Sequence, residues 1–135
     1  MRRIFVDTSA FVALDDRADA SHTQALGYRD TIKAQRLPLI TTNFVLDETY
    51  TWLRVNLGHQ QAVDFGEAIQ GSRVVEIIHV TPEIEQEAWR IFRRYKDKTF
   101  SFTDCTSFVV LNRLGITEAF AFDEHFAQFG FRQVP

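Results

Sequence analysis

Four acidic residues stand out by type and position: Asp7, Glu48, Asp104 and Asp123. Asp7 follows Ile4-Phe5-Val6, a run apolar at every position, as in a strand buried on both faces. Asp123 follows a second such run, Ala119-Phe120-Ala121-Phe122. Asp104 opens an apolar helical stretch, where the helix dipole favours an anion. Glu48 lies four residues after Phe44 and four before Trp52, in an apolar stripe of a predicted helix, and is expected to face inward. Its neighbour Asp47 shares a polar face with Thr51 and Arg54 and is expected to face water. Carboxylates held together without cations repel one another, and a lone inward one is costly. A divalent cation relieves both costs. Oxygen-only donors suit Mg²⁺ or Mn²⁺ rather than zinc, and such ions can activate a water and steady the leaving oxygen of a phosphodiester.

Elements from distant parts of the chain must bring these acids together. Hydrophobic periodicity and turn residues predict helices over 9–15, with Ser9 as cap, over 21–35, over 44–57 and over 60–70. Thr42 or Asn43 caps the third of these, and Gly58 stops it. A further helix starts at Thr81-Pro82-Glu83 and should bury Ile84, Ala88, Ile91, Phe92 and Tyr95. The next runs to Leu114, capped by Ser101 or Thr103, and is apolar on most sides. Strands are expected over 4–6, 39–41, 74–80, 119–122 and 131–134, with a short helix over 124–128 before the last. Strands alternating with helices imply a three-layer α/β/α fold, its mostly parallel sheet having about five strands. Asp7 and Asp123 then lie at the carboxyl edge, where open α/β sheets bind ligands.

The bulk numbers narrow the classes. A chain of 135 residues is expected to form one domain over 1–135 with a real core. One cysteine, Cys105, excludes an internal disulfide framework and a cysteine-rich zinc site, and fits a reducing cytoplasm. No apolar run is long enough to span a bilayer, and the start of the chain has no signal-peptide pattern, so no membrane role is expected. Net charge is −3, which is not that of a bulk nucleic-acid binder. With four acids assigned to a metal, however, the remainder is slightly positive. Arg90, Arg93, Arg94, Lys96 and Lys98 are concentrated in one stretch, as a solvated helix face or as a phosphate-contacting patch.

The order Val6-Asp7-Thr8-Ser9-Ala10, Glu48 within a helix, Phe102-Thr103-Asp104 opening a helix, and Phe122-Asp123-Glu124-His125-Phe126 resembles the PIN-domain nucleases. Within them the chain is most similar to the single-domain VapC-type toxin ribonucleases of toxin–antitoxin pairs, over essentially its whole length. The resemblance implies a Mg²⁺- or Mn²⁺-dependent endoribonuclease that hydrolyses RNA phosphodiesters with a metal-activated water. Asp7, Glu48, Asp104 and Asp123 would be its catalytic, metal-binding quartet. Thr8, Ser9 and Thr103 match hydroxyl positions that orient the acids or a bound water. A homodimer and a cognate antitoxin that blocks the site are implied as partners, alongside the RNA substrate.

Each residue also has a plainer reading. Asp7 could be a turn aspartate, Glu48 a glutamate salt-bridged to an arginine, Asp104 a first-turn helix acid and Asp123 a cap. His125 reads more readily as a surface or capping histidine than as a ligand, and Cys105 as a small core residue. Phe11 and Tyr28, on the first two helices, could line a partner groove. A haloacid-dehalogenase phosphatase needs a second aspartate two residues after the first, where Ser9 stands, and a receiver domain needs one after its third strand, where His79-Val80-Thr81 has none. The remaining alternative is a catalytically silent RNA- or partner-binding module on the same fold. Inward carboxylates argue against it.

Overall fold

The computed structural model describes residues 1–135. Its β-favouring runs form β1 (Ile4–Val6), β2 (Leu39–Thr42), β3 (Val75–Ile78), β4 (Glu118–Phe120) and β5 (Arg132–Val134). Between them lie α1 (Thr8–Asp15), α2 (His22–Gln35), α3 (Asn43–Leu57), α4 (His59–Gln70), α5 (Pro82–Arg94), α6 (Phe102–Leu114) and α7 (His125–Phe129). Every strand pair is parallel, in the order β3-β2-β1-β4-β5. The fully buried β1 is central, with Phe5 opposite Ile40 on one side and Ala119 on the other. The chain moves outward from β1 to β3, then returns across the sheet to β4 and β5. Right-handed crossovers put the helices of these two arms on opposite faces. The reversal falls between β1 and β4, so the crevice at their carboxyl ends is the topological switch point.

The core on the α6 side is aromatic. Phe108 stacks on Phe129 at 4.4 Å between ring centroids and meets Phe126 edge-on at 5.2 Å. Phe126 also contacts Phe5 of β1 and is fully buried, which pins α7 and the loop before it to the sheet. Gln133 of β5 ties the same loop down, donating to the carbonyl of Asp123 and accepting from the amide of Ala127. The expected burial of α6 holds: every residue from Asp104 to Leu111 is buried. Gly115 closes the helix at φ 66°, a left-handed turn that costs glycine little.

Several details differ from the sequence reading. α1 begins directly at Thr8, so its cap is Asp7, whose side chain accepts the amide of Ser9; Ser9 lies inside the helix. Thr42 caps α3, while Asn43 accepts from the amide of Val80. Ser101, not Thr103, caps α6. β4 starts and ends earlier than expected, at Glu118 and Phe120, and Arg2 pairs with Glu118 at its head. Asp123 thus sits in the β4–α7 loop rather than at the strand end. Phe92 is 41% exposed, since it lies on the Trp89 side of α5 and stacks there on Trp89 instead of entering the core.

Candidate active site

Asp7 is the centre of the arrangement. The sheet ends at Val6, α1 starts at Thr8, and the side chain between them is only 2% exposed. Its Oδ2 accepts from the Ser9 amide at 3.2 Å and from the Ser9 hydroxyl at 2.7 Å. The same Ser9 oxygen accepts the amide of Phe122 at 3.0 Å, which joins the end of β1 to the loop carrying Asp123. Asp7 Oδ1 is buried with no hydrogen-bond partner. A buried carboxylate oxygen left unpaired is costly, and such exceptions ask for a ligand.

Asp104 comes from the first turn of α6. It completes a reciprocal cap: its amide donates to Ser101 Oγ at 2.9 Å, and its Oδ2 accepts the Ser101 amide at 3.0 Å. That same Oδ2 meets His125 Nδ1 at 2.6 Å. Asp123 accepts the His125 amide through Oδ1 at 3.0 Å. Ligand atoms of Asp104, Asp123 and His125 all lie within 4.8 Å of one another. His125 is therefore part of the cluster, against its reading as a surface or capping residue. Its position two residues after an expected site acid was the available signal, but one histidine without a partner in the sequence carries little weight.

Glu48 does not enter the core as expected. The buried stripe of α3 is Val45, Leu46, Thr49 and Leu53, which rotates Phe44, Glu48 and Trp52 towards the cleft mouth. Glu48 is exposed at the rim, in a concavity shared with Asp47, Trp52 and Thr103. Asp47 faces water, as expected. Thr8 links α1 to α3 by donating to the carbonyl of Val45 at 3.2 Å and accepting from Thr49 at 3.1 Å. Thr103 is half-buried beside Glu48.

The electrostatics separate these acids from ordinary ion pairs. Glu118 is also buried, but Arg2 holds its carboxyl below the usual range. Asp7 has no lysine or arginine partner. Burial, then the charges of Asp123 and Asp104, raise its pKa well above the usual value, and the two Ser9 bonds only partly offset this. Burial raises Asp104 as well, opposed by the Ser101 amide and His125. Glu48 is raised by desolvation at the mouth and by its acidic neighbours, partly offset by the Thr8 hydroxyl. Three raised carboxyls at one switch point, with an unpaired oxygen at the centre, fit a divalent cation with oxygen ligands. Cys105, beside Asp104, is buried, and its thiol is pushed up to about 12, so it is no nucleophile.

A family model for the PIN domain matches residues 4–132. The chain belongs to the PIN domain family. Among PIN proteins it is 42% identical over 132 residues to a 23S rRNA-specific endonuclease, VapC20 of Mycobacterium tuberculosis, covering 97% of both chains. A VapC ribonuclease of Archaeoglobus fulgidus is 30% identical over 124 residues, 90% of this chain and 78% of that one. The crystal structure of the M. tuberculosis protein, described as a sarcin–ricin loop cleaving toxin, superposes with a TM-score of 0.88 at 41% identity. That match covers 97% of this chain and 98% of the other. The three-layer PIN fold expected from the sequence is thus the fold observed.

The surfaces around the site were only partly foreseen. Phe11 and Tyr28 are not free to line a groove: Phe11 is 4% exposed and packs on Phe65, and Tyr28 packs on Phe120. The exposed aromatic residues are instead Trp89 and Phe92 on α5, continued by Phe102 and Phe44. Arg90 and Arg93 flank Trp89 and Phe102 in a shallow concavity, two residues before Asp104 in chain order at its Phe102 edge. No helix is long and apolar enough to cross a membrane.

Proposed function

We propose that the chain is a metal-dependent endoribonuclease, the toxin of a toxin–antitoxin pair, acting in the cytoplasm as one domain over residues 1–135. The observation that carries this reading is the partnerless buried Oδ1 of Asp7, with the charges of Asp123 and Asp104 acting on it and no lysine or arginine paired with any of the three. Asp7, Asp104 and Asp123 would hold Mg²⁺ or Mn²⁺, with Glu48 closing the rim. When bound there, a divalent ion supplies positive charge for the phosphate oxygens and lowers the pKa of a water.

The chain's own residues do the positioning. Ser9 fixes Asp7 and the Phe122 backbone together, so β1 and the β4–α7 loop keep a set spacing. Ser101 holds Asp104, and the Thr8–Thr49–Val45 contacts hold α3, with Glu48, against α1. Arg93 and Arg94, exposed in the last turn of α5, would contact the RNA backbone. The relatives' named activities make 23S rRNA, and its sarcin–ricin loop, the first substrate to try. Trp89 and Phe92, large apolar side chains left open to solvent, support pairing with a second copy, and a cognate antitoxin would cover the acidic cleft.

The test is cleavage of ribosomal and mixed RNA by the purified protein with Mg²⁺, with Mn²⁺ and with a chelator, beside Asp7→Asn. Cleavage should need metal and fall at least a hundredfold in the variant, and light scattering on the same sample should read a dimer. RNA binding without cleavage under every metal, in a sample free of antitoxin, would replace this reading with a silent binding module. A monomer at micromolar concentration would remove the dimer from it.

A further inference from the structure

His125 belongs to no role assigned so far, yet it touches two of the four acids at once. Its ring nitrogen Nδ1 reaches Asp104 Oδ2 at 2.6 Å, and its own amide reaches Asp123 Oδ1 at 3.0 Å. The tautomer follows from the partners. An ionised carboxylate only accepts, so Nδ1 is the protonated nitrogen. On the far side, Thr99 Oγ1 lies 3.3 Å from Nε2 and can donate to it. Both nitrogens are then used within the protein, and neither is left as a ligand. The ring is further held edge-on against Phe100, with centroids 5.7 Å apart. Behind it, the fully buried Phe126 fixes the start of α7.

The consequence falls on the oxygens. Asp104 Oδ2 accepts from both the Ser101 amide and His125, which fills its acceptor capacity and leaves Oδ1 free. Asp123 Oδ1 accepts the His125 amide, which uses one of its two acceptor positions, while Oδ2 has no hydrogen-bond partner. Asp7 shows the same division, with Oδ2 on Ser9 and Oδ1 unpartnered. Each of these acids thus offers one oxygen and keeps the other tied to the fold.

We propose that His125 is a positioning residue: through its ring and its amide it commits Asp104 and Asp123 each to single-oxygen ligation and sets the spacing between them. This rests on the metal-site reading above. Polar groups that orient ligands in this way typically change metal affinity by about 10–100-fold when removed.

The experiment is a Mn²⁺ titration of full-length protein, followed by electron paramagnetic resonance, with apo thermal unfolding run in parallel. His125→Phe keeps an aromatic ring against Phe100 but removes the donor. His125→Asn removes the ring but restores a donor near the Nδ1 position. The expected result is at least tenfold weaker Mn²⁺ binding in His125→Phe, near wild-type binding in His125→Asn, and no directly bonded ring nitrogen in the wild-type spin-echo spectrum. Unchanged binding in His125→Phe would overturn the proposal. So would equal weakening in both variants, which would assign the effect to ring packing, and so would a directly bonded imidazole nitrogen. A wild-type protein that takes up no Mn²⁺ would overturn the metal-site reading itself, and this proposal with it.

Discussion

At the scale of single residues, the cost of the site is concentrated in Asp7. Its folded-state pKa is raised by burial and by the charges of Asp123 and Asp104, so the folded chain binds this proton more tightly than the unfolded one does. The stability from a protonated Asp7 is fully present below the unfolded value, about 4, and is lost as pH rises through the higher folded value. Asp104 and Glu48 shift in the same direction and add to the loss. Glu118 runs the opposite way: its carboxyl is lowered by Arg2, so its contribution is lost only as pH falls through that lowered value. The metal-free protein should therefore melt lower at pH 8 than at pH 5, measured by calorimetry in chelator. Asp7→Asn should flatten that slope and raise the melting temperature at pH 8. A wild-type slope that survives in the variant would place the charge strain elsewhere. Ser9 makes a related point. It was expected to cap a helix, and instead it bridges Asp7 and Phe122, because the helix starts one residue earlier than its composition implies.

At the scale of elements, α6 and the loop into α7 carry most of the geometry. The sequence left two caps open for α6, and the structure assigns the role to Ser101, whose hydroxyl accepts the Asp104 amide. Ser101→Ala should cost about 1 kcal/mol of stability in urea unfolding, while Thr103→Ala should cost less than half of that. The reverse order would return the cap to Thr103. The helix boundaries were legible because capping residues, glycine stops and apolar periodicity are local signals. The rotation of α3 was not. Two apolar stripes run along it, one with Phe44, Trp52 and Val55 and one with Leu46, Tyr50, Leu53 and Leu57, and either could have faced the sheet. Thr49 decides the matter by packing at the core face, fully buried, with its hydroxyl bonded to Val45 and Thr8. Glu48 moves to the rim as a result, still beside the other acids.

At the scale of the molecule, a net charge of −3 hides two separate regions. The acids converge at the switch point of the sheet, while Arg90, Arg93, Arg94 and Lys96 of α5 and its exit loop remain exposed and free of ion pairs, and Lys98 is half-buried and paired with Asp97. Charge reversal at Arg93 and Arg94 together, each to Glu, should weaken RNA binding at low salt and make the dependence of log affinity on log salt shallower by about 1–2. Unchanged affinity and slope in a filter-binding titration would remove these residues from the RNA path. The exposed Trp89 and Phe92 could not have been separated from core aromatics by composition, because the chain has 13 phenylalanines and most of them are buried or half-buried.

The sequence by itself determined the alternation of strands and helices, the parallel sheet, and the places of four acids along it: Asp7 and Asp123 after core strands, Asp104 opening a helix and Glu48 within one. Those features follow from local propensities and periodicity, which each segment carries alone. Only the tertiary structure decided that Asp7 keeps one oxygen unpaired, that Glu48 stands at the rim, and that His125 joins Asp104 to Asp123. The spacing of those groups depends on how β1, α3, α6 and the loop before α7 pack against one another. Such packing is the sum of many long-range contacts, and no single stretch of the chain contains it.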